Sequence, residues 1–134
     1  MEPRTTSQEK PTPRTGFIRV WKAFFYSMDG LSCALRSEAA FRQECALFLV
    51  LLPVLWFLPL PLTWKAILLL ANSAVLIVEL LNSAVEAVVN LASPEYHLLA
   101  KQAKDLGSAA VLASLVLAAV LWAMALLSLP GGTA

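Results

Sequence analysis

No charged residue occurs between positions 106 and 129, where the chain reads LGSAAVLASLVLAAVLWAMALLSL. At 1.5 Å per residue, a helix of about 24 such residues is longer than the ~30 Å hydrocarbon core of a bilayer. A run of that length suits lipid on every side, and a helix satisfies its own backbone groups there. Two further runs are long and predominantly apolar. CALFLVLLPVLWFLPLPL, over residues 45–62, carries no charge, and residues 66–91 are long enough to cross as well. With their flanking turns the three spans are expected at about 38–60, 64–92 and 100–129. Pro53 is tolerable inside the first span with a kink, whereas Pro59 and Pro61 end it and make a tight connection. Trp64 and Lys65 then mark an interface. A hydrophobic fraction of 59%, a mean hydropathy of +0.72 and only 14% charged residues agree with a bilayer as solvent.

The 134 residues allow one domain and show no internal repeat. A net charge of +1 gives no reason to propose nucleic acid as a partner. Cys33 and Cys45 have neither metal-ligand spacing nor a disulfide-rich setting, so both read as packing residues. Residues 1–15, MEPRTTSQEKPTPRT, have almost nothing apolar to bury and are expected to be a disordered tail. The first long apolar run begins only near Cys45, too late for a cleavable signal peptide. Seven of the ten basic residues (Arg4, Lys10, Arg14, Arg19, Lys22, Arg36 and Arg42) precede the first span, Lys65 alone follows it, and Lys101 and Lys104 lie between the second and third. The positive-inside rule therefore puts the N-terminus and the second loop in the cytoplasm and the C-terminus outside.

Residues 16–35, GFIRVWKAFFYSMDGLSCAL, are too polar to span and too apolar to be a linker. Ile18, Trp21, Phe25 and Met28 recur at helical spacing, with Arg19, Lys22 and Tyr26 on a neighbouring stripe. That pattern belongs to a helix lying in the membrane interface. The expected fold is an all-α membrane protein: an N-terminal amphipathic surface helix plus three transmembrane helices.

The second span contains VELLNSAVEAVVN, with two glutamates and two asparagines in an otherwise apolar helix. A charge at bilayer depth costs roughly 2.5–3.5 kcal/mol on insertion scales, so these groups should face protein, water or one another. At about 100° per residue, Glu79, Asn82, Glu86 and Asn90 fall within about 80° of one another, as one stripe. A hydrogen-bonded seam between helices and a functional path would both produce it. Other polar groups reach the same level. EAAFRQE opens the first span, with Glu38 and Arg42 one turn apart and Glu44 following. EYHLLAKQAKDLGS opens the third, and a helix starting near Glu95 would put His97, Lys101, Lys104, Asp105 and Ser108 on one face.

This inventory pairs carboxylates able to hold a hard cation (Glu38, Glu86, Asp105) with cations able to hold phosphate (Lys104, with Arg19, Arg42 and Lys101). Mg²⁺ prefers one or two carboxylates together with phosphate oxygens and water. Glu79, farthest from the surface, is placed to act as general base towards a hydroxyl arriving from the lipid side. Neither a Walker A motif nor a kinase Gly-rich loop is present, so phosphoryl transfer would need another cradle.

ELLNSAVEAVVN, EYHLLAKQAKDLGSAAV and EAAFRQE resemble the signature segments of the bacterial integral-membrane diacylglycerol kinase family, over about residues 16–129. The resemblance implies a homotrimer with composite sites between neighbours, transferring the γ-phosphoryl of MgATP to the primary hydroxyl of diacylglycerol in the bacterial inner membrane. It further implies Glu79 as base, supported by Asn82, and Glu38 and Glu86 as magnesium ligands. The nucleotide would be held by Arg19 and Tyr26, by Glu95, Tyr96 and His97, and by Lys104 and Asp105. The lipid would contact Arg19 and Ala23 on the surface helix, Arg42 and Glu44 at the start of the first span, and Glu79. One position departs from the family pattern: Asn90 stands where aspartate is common.

Two rival readings belong to other classes. A small ion-coupled transporter or channel would use membrane glutamates without needing His97, Lys104 and Asp105 at one surface, and a structural subunit would tolerate neutralised glutamates. Within the kinase class the alternative acceptor is undecaprenol, although NSAVEAVV and KDLGSAAV look closer to the diacylglycerol branch.

Overall fold

The computed structural model describes residues 16–129; the N-terminal tail and the closing PGGTA lie outside the described residues. Four helices follow one another, α1 (Phe17–Ser37), α2 (Ala39–Phe57), α3 (Leu62–Ala92) and α4 (Leu98–Leu127). Residues up to Cys33 form one unit and those from Ala34 onward a second.

In the first unit, Gly16 precedes α1 at φ 95°, a left-handed conformation that glycine adopts without a Cβ clash. Trp21, Phe24 and Phe25 group on this helix, the Trp21 and Phe25 rings meeting edge to face at 5.4 Å. All three rings are exposed.

In the second unit the helix ends explain the connections. Glu38 has extended backbone between α1 and α2, and Arg42 Nη1 donates back to the carbonyls of Arg36 (3.1 Å) and Leu35 (3.3 Å). Those carbonyls belong to the last turn of α1, where no further turn supplies donors. Pro53 is carried inside α2, while the run Leu58, Pro59, Leu60 and Pro61 interrupts the helix before α3. Lys65 Nζ donates to Trp56 O at 2.8 Å, giving the end of α2 a cationic cap from the start of α3.

α3 packs chiefly on α4 and to a lesser extent on α2. Beside the α2–α3 connection, Leu55, Leu60, Leu68 and Ala125 are buried, with Trp64 and Trp122 against them. The next layer is Ala71, Val75 and Ala118, and Leu121 touches both layers. Most large apolar side chains elsewhere on α2, α3 and α4 are exposed. Each of these helices is long and apolar enough to cross a bilayer, a multi-pass membrane architecture in which those faces meet lipid or protein.

Candidate active site

The packed face of α3 reads Leu68, Ala71, Val75 and then Glu79, all buried and spaced three or four residues apart. The seam therefore changes from hydrocarbon to carboxylate without changing direction. Glu79 is 4% exposed, the one polar side chain in the buried class among the described residues. Asn82 and Glu86 continue the line, both half-buried. Asn82 Nδ2 donates to Glu86 Oε1 at 3.4 Å, across one helical turn. The amide oxygen Oδ1 points the other way and is buried without a hydrogen-bond partner among the described residues. Reversing the amide would set that oxygen against the Glu86 carboxylate, so the charge of Glu86 fixes its orientation.

α2 adds two carboxylates from its first turns. Glu38 accepts a hydrogen bond from Ser37 Oγ at 3.3 Å, and Glu44 keeps its Oε2 buried with no hydrogen-bond partner among the described residues. Coulombic repulsion connects Glu79 with Glu86 and Glu38, and Glu44 with Glu79. Three further carboxylates, Glu38, Glu44 and Glu86, are thus within electrostatic reach of the buried Glu79. Among the described residues no three His, Cys, Asp or Glu side chains are gathered closely enough to form a complete metal cage. The donor set suits a hard cation that takes one or two carboxylates and draws its other ligands from phosphate and water.

An apolar cavity of about 430 Å³ opens beside this cluster, between α2, α3 and α4. Glu44 lies on its wall, with Phe48, Val75, Leu115 and Trp122 among the apolar residues and Asn72 the second polar one. Trp122 Nε1 donates to Asn72 Oδ1 at 3.1 Å.

A second, polar cavity of about 370 Å³ lies at the α3–α4 connection, lined by Glu95, Tyr96, His97, Lys101, Lys104 and Asp105 with Asn90. Ser93 Oγ donates to Glu95 O at 2.9 Å, turning the chain, and α4 begins only at Leu98. His97 therefore stands at the N-cap, its Nδ1 accepting from Leu99 N at 3.2 Å, which leaves Nε2 as the group able to donate outward. His97 joins Lys101 and Lys104 through the cavity wall, since it precedes the helix whose face it was expected to share; Ser108 does not line this cavity. Asp105 pairs with Lys101 one turn earlier, while Lys104 has no ion pair among the described residues.

Arg19, Ala23 and Tyr26 are exposed on α1 within the first unit. Arg42 uses its guanidinium on the α1 carbonyls. The sequence reading missed three features. Lys101 is the partner of Asp105, legible from their four-residue spacing. Asn72 shares the angular position of the polar stripe, at about 20° from Glu79 by helical geometry, and so belonged to it. Gly107 lies against Asn82: a methyl group there would collide with Asn82 Oδ1 and sit 3.3 Å from Cγ.

The sequence model of the prokaryotic diacylglycerol kinase family matches residues 25–126. The chain is 44% identical over 114 residues to the diacylglycerol kinase of Escherichia coli K12, covering 85% of this chain and 93% of that protein. It is 45% identical over 120 residues to the diacylglycerol kinase of Pseudomonas aeruginosa, covering 87% and 98%. The corresponding protein of Helicobacter pylori is 40% identical over 121 residues, covering 90% and 94%.

Proposed function

The chain belongs to the prokaryotic diacylglycerol kinase family, and we propose that it transfers the γ-phosphoryl of MgATP to the primary hydroxyl of diacylglycerol, giving phosphatidic acid. The observation that carries this reading is the position of Glu79: a carboxylate buried on the packed face of α3, one turn from an Asn82–Glu86 pair and one turn beyond Val75, which lines an apolar cavity. A base so placed meets a hydroxyl delivered from lipid rather than from water.

In the reaction, the acceptor oxygen bonds to the γ-phosphorus, the bond from that phosphorus to the β–γ bridging oxygen breaks, and ADP leaves. Glu79 takes the hydroxyl proton on a carboxylate oxygen. Asn82 holds the Glu86 carboxylate through Nδ2. Glu38 and Glu86 would hold the magnesium ion, which when bound neutralises charge on the phosphate oxygens. The unpaired Lys104 ammonium serves the phosphates electrostatically, His97 donates from Nε2, and Glu95, Tyr96 and Asp105 line the nucleotide's cavity. Arg19 and Tyr26 on α1 add nucleotide contacts, and Arg19, Ala23, Arg42 and Glu44 meet the lipid. The cavity beside Glu44 gives an acyl chain room next to the reacting hydroxyl.

The working unit is a homotrimer in the bacterial inner membrane, with α1 lying amphipathically in the interface, the N-terminus cytoplasmic and the C-terminus periplasmic. The extensive apolar faces of one chain support an assembly that covers part of them. The test is radiolabelled phosphate transfer from MgATP in detergent micelles to diacylglycerol and, separately, undecaprenol, with wild type and Glu79→Gln. Labelled diacylglycerol with a dead variant is the expected result. Label on undecaprenol alone moves the acceptor assignment, and no label on either lipid from a folded oligomer returns the glutamates to transport or packing.

A further inference from the structure

We infer that Gly107 is a positioning residue for this reaction: its bare Cα is the seat that holds the Asn82 carboxamide with Nδ2 turned to Glu86. The inference rests on the kinase reading above for its functional part and on packing alone for its structural part. α3 and α4 form the most extensive helix pair of the chain, and Gly107 occupies the interior of α4. Glycine at an interior helical position is destabilising relative to alanine, because the unfolded chain is freer and nothing is gained in contacts. Gly30, inside α1, has open space where a side chain would go; at Gly107 that space is filled by Asn82 Oδ1.

Three observations give this close approach a consequence. Asn82 Oδ1 is buried and accepts no conventional hydrogen bond among the described residues, so none of their donors holds the carboxamide from its oxygen side. Among the described residues its side chain makes one hydrogen bond, from Nδ2 to Glu86, long at 3.4 Å and therefore weak. What keeps the amide plane where Nδ2 can reach Glu86 is then the shape of the slot, with the Cα of Gly107 as its far wall. A glycine Cα–H directed at Oδ1 adds a weak attraction of the kind common where helices cross closely. A methyl group at position 107 would occupy the place of Oδ1, so the carboxamide would have to rotate or the helices separate. Either movement withdraws Nδ2 from a carboxylate assigned to magnesium. Partners that orient a metal's ligands are typically worth ~10–100-fold in metal affinity or activity.

The experiment is a four-protein cycle on the full chain in detergent: wild type, Gly107→Ala, Asn82→Ala and the double variant. Each is melted without nucleotide or magnesium, and each is assayed for phosphate transfer to diacylglycerol against magnesium concentration. With Asn82 present, Gly107→Ala should lower the melting temperature; with Asn82→Ala it should leave it unchanged or raise it, because only glycine's entropic disadvantage is then removed. Gly107→Ala should raise the half-saturating magnesium concentration about tenfold or more, and the double variant should be no worse than Asn82→Ala. An equal fall in melting temperature in both backgrounds would overturn the inference, as would an unchanged magnesium requirement in Gly107→Ala. If Gly107→Ala does not fold, a folded double variant supports the seat and an unfolded one refutes it. A wild type that phosphorylates no lipid removes the kinase reading and with it the functional half, while the melting cycle still decides the structural half.

Discussion

Trp122 Nε1 donates to Asn72 Oδ1 across 3.1 Å, a polar tie between α4 and α3 set among apolar layers and on the wall of the larger cavity. Asparagine is unfavourable in hydrocarbon unless it faces protein or a partner, and an indole N–H buried without an acceptor also loses free energy. Hydrogen bonds between membrane helices contribute on average ~0.6 kcal/mol and at most ~1.7 kcal/mol, since the separated helices find other partners. Trp122→Phe should therefore destabilise the protein by about 1 kcal/mol in a detergent unfolding titration. Most of that loss should vanish when Asn72→Leu is already present, because replacing both partners removes the unsatisfied groups as well as the bond. The same loss in both backgrounds would mean that ring packing alone is being measured.

Glu79→Gln keeps the size of the side chain and removes its basicity. General-base catalysis is typically worth ~10²–10⁴-fold, so kcat for lipid phosphorylation should fall by at least about 100-fold. The KM for ATP should stay within about twofold, because the nucleotide is assigned to the polar cavity at the α3–α4 connection. A variant with kcat near wild type would remove Glu79 from the proton path. A parallel rise in ATP KM would instead place the side chain in the nucleotide site.

The two lysines of that cavity differ in their partners, and their variants should differ accordingly. Lys101 is already paired with Asp105, whereas Lys104 has no ion pair among the described residues and its charge is available to phosphate. Hydrogen bonds to charged groups contribute ~1.5–3 kcal/mol, so Lys104→Met should raise the KM for ATP about tenfold or more. Lys101→Met removes an exposed pair worth at most ~1 kcal/mol and releases Asp105, so a rise of no more than about fivefold is expected. Steady-state kinetics at fixed free magnesium separates the two, and equal effects would show that the ion pair opens when nucleotide binds.

Much of this architecture was legible because bilayer and helix impose strong periodic constraints. The long apolar runs located three long helices, and Pro59 and Pro61 marked the break between α2 and α3. The 100° rule put Glu79, Asn82 and Glu86 on one line, and that line proves to be the packed face of α3 continued from Leu68, Ala71 and Val75. Side-chain pairing was less legible. Glu38 and Arg42 stand one turn apart, yet Arg42 turns to the carbonyls at the end of α1, where the helix supplies no following turn. His97 could not be placed on the face of α4 because the helix start depends on a cap, and the cap is His97 itself. Gly107 carries no chemical signal in one sequence: a glycine needed for close approach looks the same as a merely tolerated one until the helix opposite is in place.

Asn90 tests how far the proposed metal site extends. It lies one turn beyond Glu86 on the same stripe, but it is exposed and lines the polar cavity with Lys104. A carboxylate at this position, as in Asn90→Asp, would enter a region that already holds Glu95 and Asp105. Exposed charge interactions are worth ~0.2–1 kcal/mol, which corresponds to less than about a fivefold change in binding. The half-saturating magnesium concentration and the ATP KM should both stay within that range, and kcat should not rise. The direction expected for ATP is a weaker interaction, because the added negative charge would face phosphate and, of the two described lysines on the cavity wall, Lys101 is already paired with Asp105. If Asn90→Asp instead raised kcat tenfold or sharply lowered the magnesium requirement, the metal site would extend from Glu86 to this position, and the asparagine would be a ligand lost from it.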